Sequence, residues 1–180
     1  SELKYGICEV SIPNNHKIGE IESPTWWKFE FSEDPNKHMM LQTVTLKNKE
    51  DYFKILSEKI DMSSEKSSFL FVHGYNVSFA SAAKRTAQIT YDLHFDGEAV
   101  FYSWPSQAST TGYTIDEANI KWSQYNMKHF LEDYLTKTTA ENVYLVAHSM
   151  GNRGLTRALV ELMQEKPELN KKIKEVILAA

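Results

Sequence analysis

The run Val143-Tyr144-Leu145-Val146-Ala147-His148-Ser149-Met150-Gly151 constrains the fold of this chain more than any other stretch. Val143 to Val146 are mostly apolar and partly β-branched, as a buried strand requires. Leu155, Ala158, Leu159, Leu162 and Met163 then recur at helical spacing. Between the two elements the chain has to turn sharply. A serine at the tip of such a strand-to-helix turn is the pattern of a nucleophile elbow. The demand is steric: the serine backbone takes a strained conformation so that Oγ projects from the sheet. The residues two before and two after it must therefore be small. Ala147 and Gly151 meet that demand, with Ala where Gly is commoner. The helix beginning at Met150 turns its first N–H groups and the positive end of its dipole toward any oxyanion formed beside Ser149. The bland alternative is a tight turn with an exposed serine.

Short apolar strands at Ser68–Val72, Ala99–Tyr102, Val143–Ala147 and Ile173–Ala180 alternate with helices starting near Ala80, Thr114 and Met150. Repeated β-α units predict an α/β fold over residues 1–180, a single domain with a mainly parallel central sheet and helices on both faces. Phe69 to Val72, wholly apolar, suits a central strand covered on both sides. Ala80, Ala83, Ala87 and Thr90 give the next helix a small-residue face for close packing. Upstream, Tyr5–Ile12, the aromatic alternation Trp27/Phe29/Phe31, and Met39–Leu46 are β-like without long helices between them. They predict antiparallel N-terminal edge strands. The aromatic run is expected to cover the core, with a substrate wall as the other reading. Asp51 is the expected cap of a short helix burying Phe53, Leu56 and Ile60. Thr114 and Glu117 form a capping-box signature for a long helix. Its expected core stripe is Ile115, Ala118, Trp122, Tyr125, Phe130, Leu131, Tyr134 and Leu135. The last segment, Ile173 to Ala180, is expected to be another buried strand. Ala180 thus reads as the edge of a C-terminally incomplete domain.

Composition removes several function classes. A net charge of −4 without a Lys/Arg run argues against a nucleic-acid partner. Cys8 is the only cysteine, so no internal disulfide forms. No apolar stretch approaches the roughly 20 residues of a membrane span. No targeting segment is visible, which makes a soluble, cytoplasmic protein the default expectation; the chain begins at Ser1, so an upstream signal is not addressed. The histidines are scattered without ligand spacing and there is no H-E-x-x-H, so no metal is expected. Neither G-x-G-x-x-G nor G-x-x-x-x-G-K-[ST] occurs, and no cofactor is expected.

A second constellation, His73-Gly74-Tyr75-Asn76, follows the first central strand on the side where open α/β sheets place their ligands. Gly74 allows close backbone approach to a bound group. The Tyr75 N–H is then placed to face the Met150 N–H across a reacting carbonyl, giving two oxyanion donors. His73 reads as a loop-bracing histidine rather than a base, and His148 as a variable elbow position. With Gly74, Asn76, Ala147 and Gly151 they shape the site.

These stretches, together with Val10-Ser11-Ile12-Pro13, Arg85-Thr86-Ala87-Gln88, Tyr102-Ser103-Trp104-Pro105-Ser106 and Val176-Ile177-Leu178-Ala179-Ala180, carry a family resemblance. The chain resembles the α/β-hydrolase superfamily, and is most similar to the bacterial α/β hydrolases catalogued as domain of unknown function 900. The resemblance implies a serine hydrolase of esterase, lipase or thioesterase type acting by acyl transfer on a small-molecule ester-like substrate. Ser149 would be the nucleophile, with Tyr75 and Met150 the oxyanion donors. The superfamily order is Ser, then Asp or Glu, then His. All six histidines here precede Ser149, so the acid and the histidine are expected outside this chain. The chain alone is expected to be a weak or inactive hydrolase. An apolar sheet edge beside Ile177 is expected to favour self-association. The alternative function is a non-catalytic module binding a ligand or protein through the cleft above Ser149 and Trp26, Trp27 and Trp104. A structural domain of a larger assembly is the third reading.

Overall fold

A computed structural model of the chain describes residues 2–24, 32–106 and 113–180. Strands β1 (Tyr5–Ser11) and β2 (Met40–Lys47) come first, followed by α1 (Lys49–Ile60), β3 (Ser67–Val72) and α2 (Phe79–Asp92). Then come β4 (Glu98–Tyr102), α3 (Tyr113–Lys137), β5 (Asn142–His148) and α4 (Met150–Glu165). A 3₁₀ turn (Pro167–Lys172) leads into β6 (Ile173–Ala179). No helix among the described residues is long and apolar enough to cross a membrane.

The main sheet is parallel, in the order β4-β3-β5-β6. Every residue of β3 is buried, and its apolar run Phe69 to Val72 suits that position. From β3 the chain steps outward to β4, whereas from β4 it returns across β3 to β5 and continues to β6. Right-handed crossovers with opposite step directions place α2 on one face and α3 and α4 on the other. On the latter face α4 meets α3 at Gly154, where an added Cβ would stand 2.7 Å from Ile120 Cδ1. The core between α3, α4 and the sheet holds Leu70, Val72, Met127, Leu131, Tyr134, Leu145, Leu155 and Leu162, all fully buried.

The N-terminal strands depart from expectation in one respect. β1 and β2 pair with each other antiparallel, with a bulge at Glu9/Val10, in a two-stranded sheet of their own. Among the described residues no ladder joins them to β4. The expected aromatic strand through Trp27, Phe29 and Phe31 lies outside the described residues.

Three other expectations are corrected. The N-cap of α1 is Asn48, whose side chain accepts from the Asp51 N–H at 2.8 Å and donates to Asp51 Oδ2 at 2.8 Å. Asp51 is the answering partner in the first turn; Phe53, Leu56 and Ile60 are buried as expected. In the first half of α3 the buried face is Asp116, Ile120, Ser123 and Met127. Ile115, Trp122 and Tyr125 point outward, Trp122 with 83 % of its surface exposed. Two of the four inward positions are polar, so hydrophobicity alone selects the wrong side. Finally, β6 is a strand but not a buried one. Among the described residues it pairs only with β5, and Val176, Ile177 and Leu178 remain exposed.

Candidate active site

Ser149 occupies the N-cap of α4 with φ 53° and ψ −122°. A non-glycine residue in such a conformation costs about 1–3 kcal/mol and persists only where its surroundings hold it. Here the Ser149 N–H donates to the Ala179 carbonyl of β6 at 2.9 Å, and the Asn152 N–H donates to the Ser149 carbonyl at 3.0 Å. Ala147 is fully buried between Val72 and Leu178. A Cβ on Gly151 would stand 2.4 Å from the His73 carbonyl oxygen and 2.7 Å from that of Val72. The helix therefore starts in direct contact with the end of β3, and only glycine fits at that point. The result is the strained bend that the sequence predicts, with Ser149 and His148 exposed at its tip.

The loop after β3 meets this bend. A Cβ on Gly74 would lie 2.8 Å from His148 Nδ1, 2.8 Å from the His148 carbonyl and 2.9 Å from the Ser149 Cβ. The two constellations, distant in sequence, thus touch through glycine backbone. Their meeting place follows from topology. β3 leads to α2 on one face and β5 leads to α4 on the other, so the carboxyl ends of these neighbouring strands diverge and open a crevice. Tyr75 follows directly on the Gly74 contact, and Asn76 takes a left-handed conformation with φ 58°. Ser78 then caps α2, accepting from the Ser81 N–H at 3.1 Å. Met150 is the first residue of α4, at the end whose amides have no carbonyl partner within the helix.

His73 is buried and fully engaged. Its Nε2 accepts from the Trp104 N–H at 3.2 Å, which leaves the proton on Nδ1, 3.0 Å from the Gly74 carbonyl. The Ser103 hydroxyl lies 3.3 Å from Nε2. The imidazole stacks on Trp104 at 5.1 Å, and the indole Nε1–H donates to the His73 carbonyl at 2.8 Å. Burial pushes its pKa below the ordinary histidine value, against the opposing pull of its backbone bonds and of Asp116. These contacts fit the loop-bracing expectation. Trp104 itself is 2 % exposed, which removes it from the expected ligand-binding aromatics. Trp26 and Trp27 lie outside the described residues.

Two features escaped the sequence reading. Asp116, fully buried in the first turn of α3, accepts from the Ser106 hydroxyl at 2.6 Å, while Asn119 Nδ2 donates to the Pro105 carbonyl at 2.8 Å. Together they tie the loop after β4 to α3. An acidic residue in a first helical turn was the available signal. The other is Asn152, whose Nδ2 donates to the Ala179 carbonyl at 2.8 Å; nothing in the sequence distinguishes it from a solvated helix residue.

Of the remaining histidines, His148 stands exposed at the tip of the bend beside Ser149, and the others lie outside it. His16 lies between Glu22 and Asp92, His38 accepts from the Asp34 N–H, and His129 packs its ring on Tyr125. His94 lies just beyond α2. Among the described residues no cluster of three or more His, Cys, Asp or Glu side chains could hold a metal ion. A cavity of about 720 Å³ bounded by described residues lies between β1, β4, α1 and α2. Ser149, Tyr75 and Met150 are not among its walls.

A family model described as an alpha/beta hydrolase of unknown function (DUF900) matches residues 48–180, from the cap of α1 onward. No curated protein and no solved structure matches the chain.

Proposed function

Because the chain belongs to this family of α/β hydrolases of unknown function, we propose that it is a serine hydrolase of carboxylic-ester type acting by acyl transfer through Ser149. One observation carries the reading: Ser149 is exposed at a positive-φ bend that begins a helix, with Gly74 packed against it. In the proposed reaction Oγ attacks the acyl carbon and the carbonyl electron pair moves onto oxygen. The Tyr75 and Met150 N–H groups hold that oxyanion. The carbon–oxygen bond to the alcohol then breaks, the alcohol leaves with a proton, and water releases the acyl group from Oγ. The oxyanion donors are drawn from the order of residues at the crevice and from the openness of a helix N-terminus.

A serine hydroxyl is a weak nucleophile until a base takes its proton. His73 spends both ring nitrogens on bracing, and no histidine follows Ser149 in the sequence. The 180-residue chain is therefore proposed to turn over slowly, with only the residual catalysis that an oxyanion hole and binding supply. The test supplies the missing base. An alkyl fluorophosphonate is incubated with the chain, with and without added imidazole, and the adduct is mapped by mass spectrometry. The Oγ–P bond forms, fluoride leaves and imidazole takes the proton. Expected is an adduct at Ser149 that imidazole accelerates and that Ser149→Ala abolishes. Labelling spread over surface hydroxyls, or none at Ser149 with imidazole present, overturns the hydrolase reading in favour of a non-catalytic binding module. Rapid turnover of a p-nitrophenyl ester by the chain alone overturns the proposal that it lacks a base.

A further inference from the structure

The carbonyl of Ala179 accepts two hydrogen bonds, one from the Ser149 N–H at 2.9 Å and one from Asn152 Nδ2 at 2.8 Å. The first restrains the strained residue of the elbow. Its acceptor, however, belongs to the last residue of β6, which among the described residues is an outermost strand paired on one side only. Strand ends of this kind open locally at little cost in free energy. If Ala179 moves away, the Ser149 N–H loses its partner, and the φ 53° conformation loses a restraint. Asn152 opposes that motion from the helix. Its own backbone is fixed at both ends: its N–H donates to the Ser149 carbonyl, and its carbonyl accepts from the Thr156 hydroxyl at 2.7 Å. The amide orientation is set by the same contact. Nδ2 faces Ala179, and Oδ1 is left buried without a hydrogen-bond partner. An unsatisfied buried oxygen is unfavourable. What the amide provides at this position is the donor.

We propose that Asn152 is a positioning residue for Ser149: its side-chain amide keeps the Ala179 carbonyl where that carbonyl accepts the Ser149 N–H. Asn152 does not touch the reacting atoms. It acts on the direction in which Oγ projects, and on whether the Met150 amide that follows keeps its aim. The catalytic part of this inference rests on the hydrolase reading; the structural part does not.

The experiment therefore has two arms. Hydrogen exchange at the Ser149 amide is followed in the unaltered chain, Asn152→Ala and Asn152→Asp. Imidazole-assisted fluorophosphonate labelling of Ser149 is timed in the same proteins. Asn152→Ala is expected to lower protection of the Ser149 amide about tenfold and to slow labelling by a similar factor, while amides of β3 exchange as before. Asn152→Asp is nearly isosteric, which guards against a variant that does not fold. As a carboxylate it repels the Ala179 carbonyl and loses protection near neutral pH. Protonated, it regains a donor, and the Ser149 protection factor is expected to recover in acid. A simple loss of packing would not follow that titration. Unchanged Ser149 protection in both variants overturns the positioning role, whatever the labelling shows. Absence of labelling in the unaltered chain overturns the hydrolase reading and leaves the exchange arm to decide the role of Asn152.

Discussion

Gly74 and Ser149 are in contact across the crevice: a Cβ on the glycine would stand 2.9 Å from the Cβ of the serine. The same hypothetical atom would lie 2.8 Å from the His148 carbonyl oxygen, which is backbone and has no rotamer to yield. Gly74 does not have a positive φ, so the constraint on it is space. Gly74→Ala must push the β3 loop away from the elbow and carry the Tyr75 amide with it. A change of this kind is expected to slow Ser149 labelling by about 10²-fold, the scale of losing an oxyanion donor. Thermal unfolding is expected to change far less. Labelling within a factor of two of the unaltered rate would show that the loop does not position the site.

His73 gives the second prediction. Its neutral form is built in, because Nε2 accepts and Nδ1 donates. Burial lowers its pKa in the folded state, so the folded chain binds fewer protons here than the unfolded chain. The stability it contributes is full above the ordinary histidine value of about 6.5 and is lost as pH falls through the depressed folded value. His73→Phe removes this dependence along with two hydrogen bonds to buried partners, and is expected to cost about 1–3 kcal/mol at neutral pH. Urea unfolding from pH 7 downward, and the ring ¹⁵N shifts that report the Nδ1–H tautomer, check both points. An imidazole that titrates at the unperturbed value would contradict them.

The elbow was legible because a strained turn imposes steric demands that show in residue size. Ala147 and Gly151 flank Ser149 for a reason that sequence spacing displays directly. The parallel strands were legible because β3 and β5 carry apolar runs bounded by turns; β3 is buried on both faces, and β5 buries Val143, Leu145 and Ala147 while Tyr144 and Val146 are half-buried. Legibility ended where a neighbour, not the segment itself, decides burial. Trp122 and Tyr125 are apolar at helical spacing, yet they face outward because α4 approaches α3 along Ile120 and Met127. β6 has the composition of a core strand, but what packs on a strand is not written in it. Asn152 illustrates the same limit at the site. Its partner, the Ala179 carbonyl, is main chain, and no side-chain pattern announces such a contact.

The outer edge of β6 carries the third prediction. Val176, Ile177 and Leu178 alternate faces and stay exposed on both, beside a row of backbone groups that face away from β5. Such an edge is a template for another strand. We propose that a second copy of the chain supplies it. Light scattering is expected to show concentration-dependent association, and Ile177→Lys, a charge on the exposed edge, is expected to weaken it. A monomer up to the solubility limit would set the proposal aside.

The segment from His16 to Glu22 is held by a different kind of contact, and it supplies the last prediction. His16 places Nδ1 3.0 Å from a Glu22 carboxylate oxygen and Nε2 2.8 Å from Asp92 Oδ1. Two carboxylates on the two ring nitrogens require both to be donors, hence an imidazolium. The Tyr91 ring edge closes one side at 5.3 Å. The Lys17 N–H donates to Glu22; the Gly19 N–H and the Gln88 amide donate to Asp92. Burial pulls the His16 pKa down, but the bonds to Glu22 and Asp92 outweigh it and hold the value above the ordinary one. Asp92 is lowered to about 2, first by the Gly19 N–H, then by Gln88 and His16. The signs follow by linkage. The histidine contribution is complete below about 6.5 and is lost as pH rises through the raised folded value, whereas the Asp92 contribution is present above about 4 and lost as pH falls toward 2. Stability from this cluster is therefore greatest in mildly acidic solution. His16→Gln, which cannot carry charge, is expected to melt at lower temperature near pH 5 and to approach the unaltered chain as pH rises toward 9. Parallel melting curves across that range would show that His16 is not held as a cation.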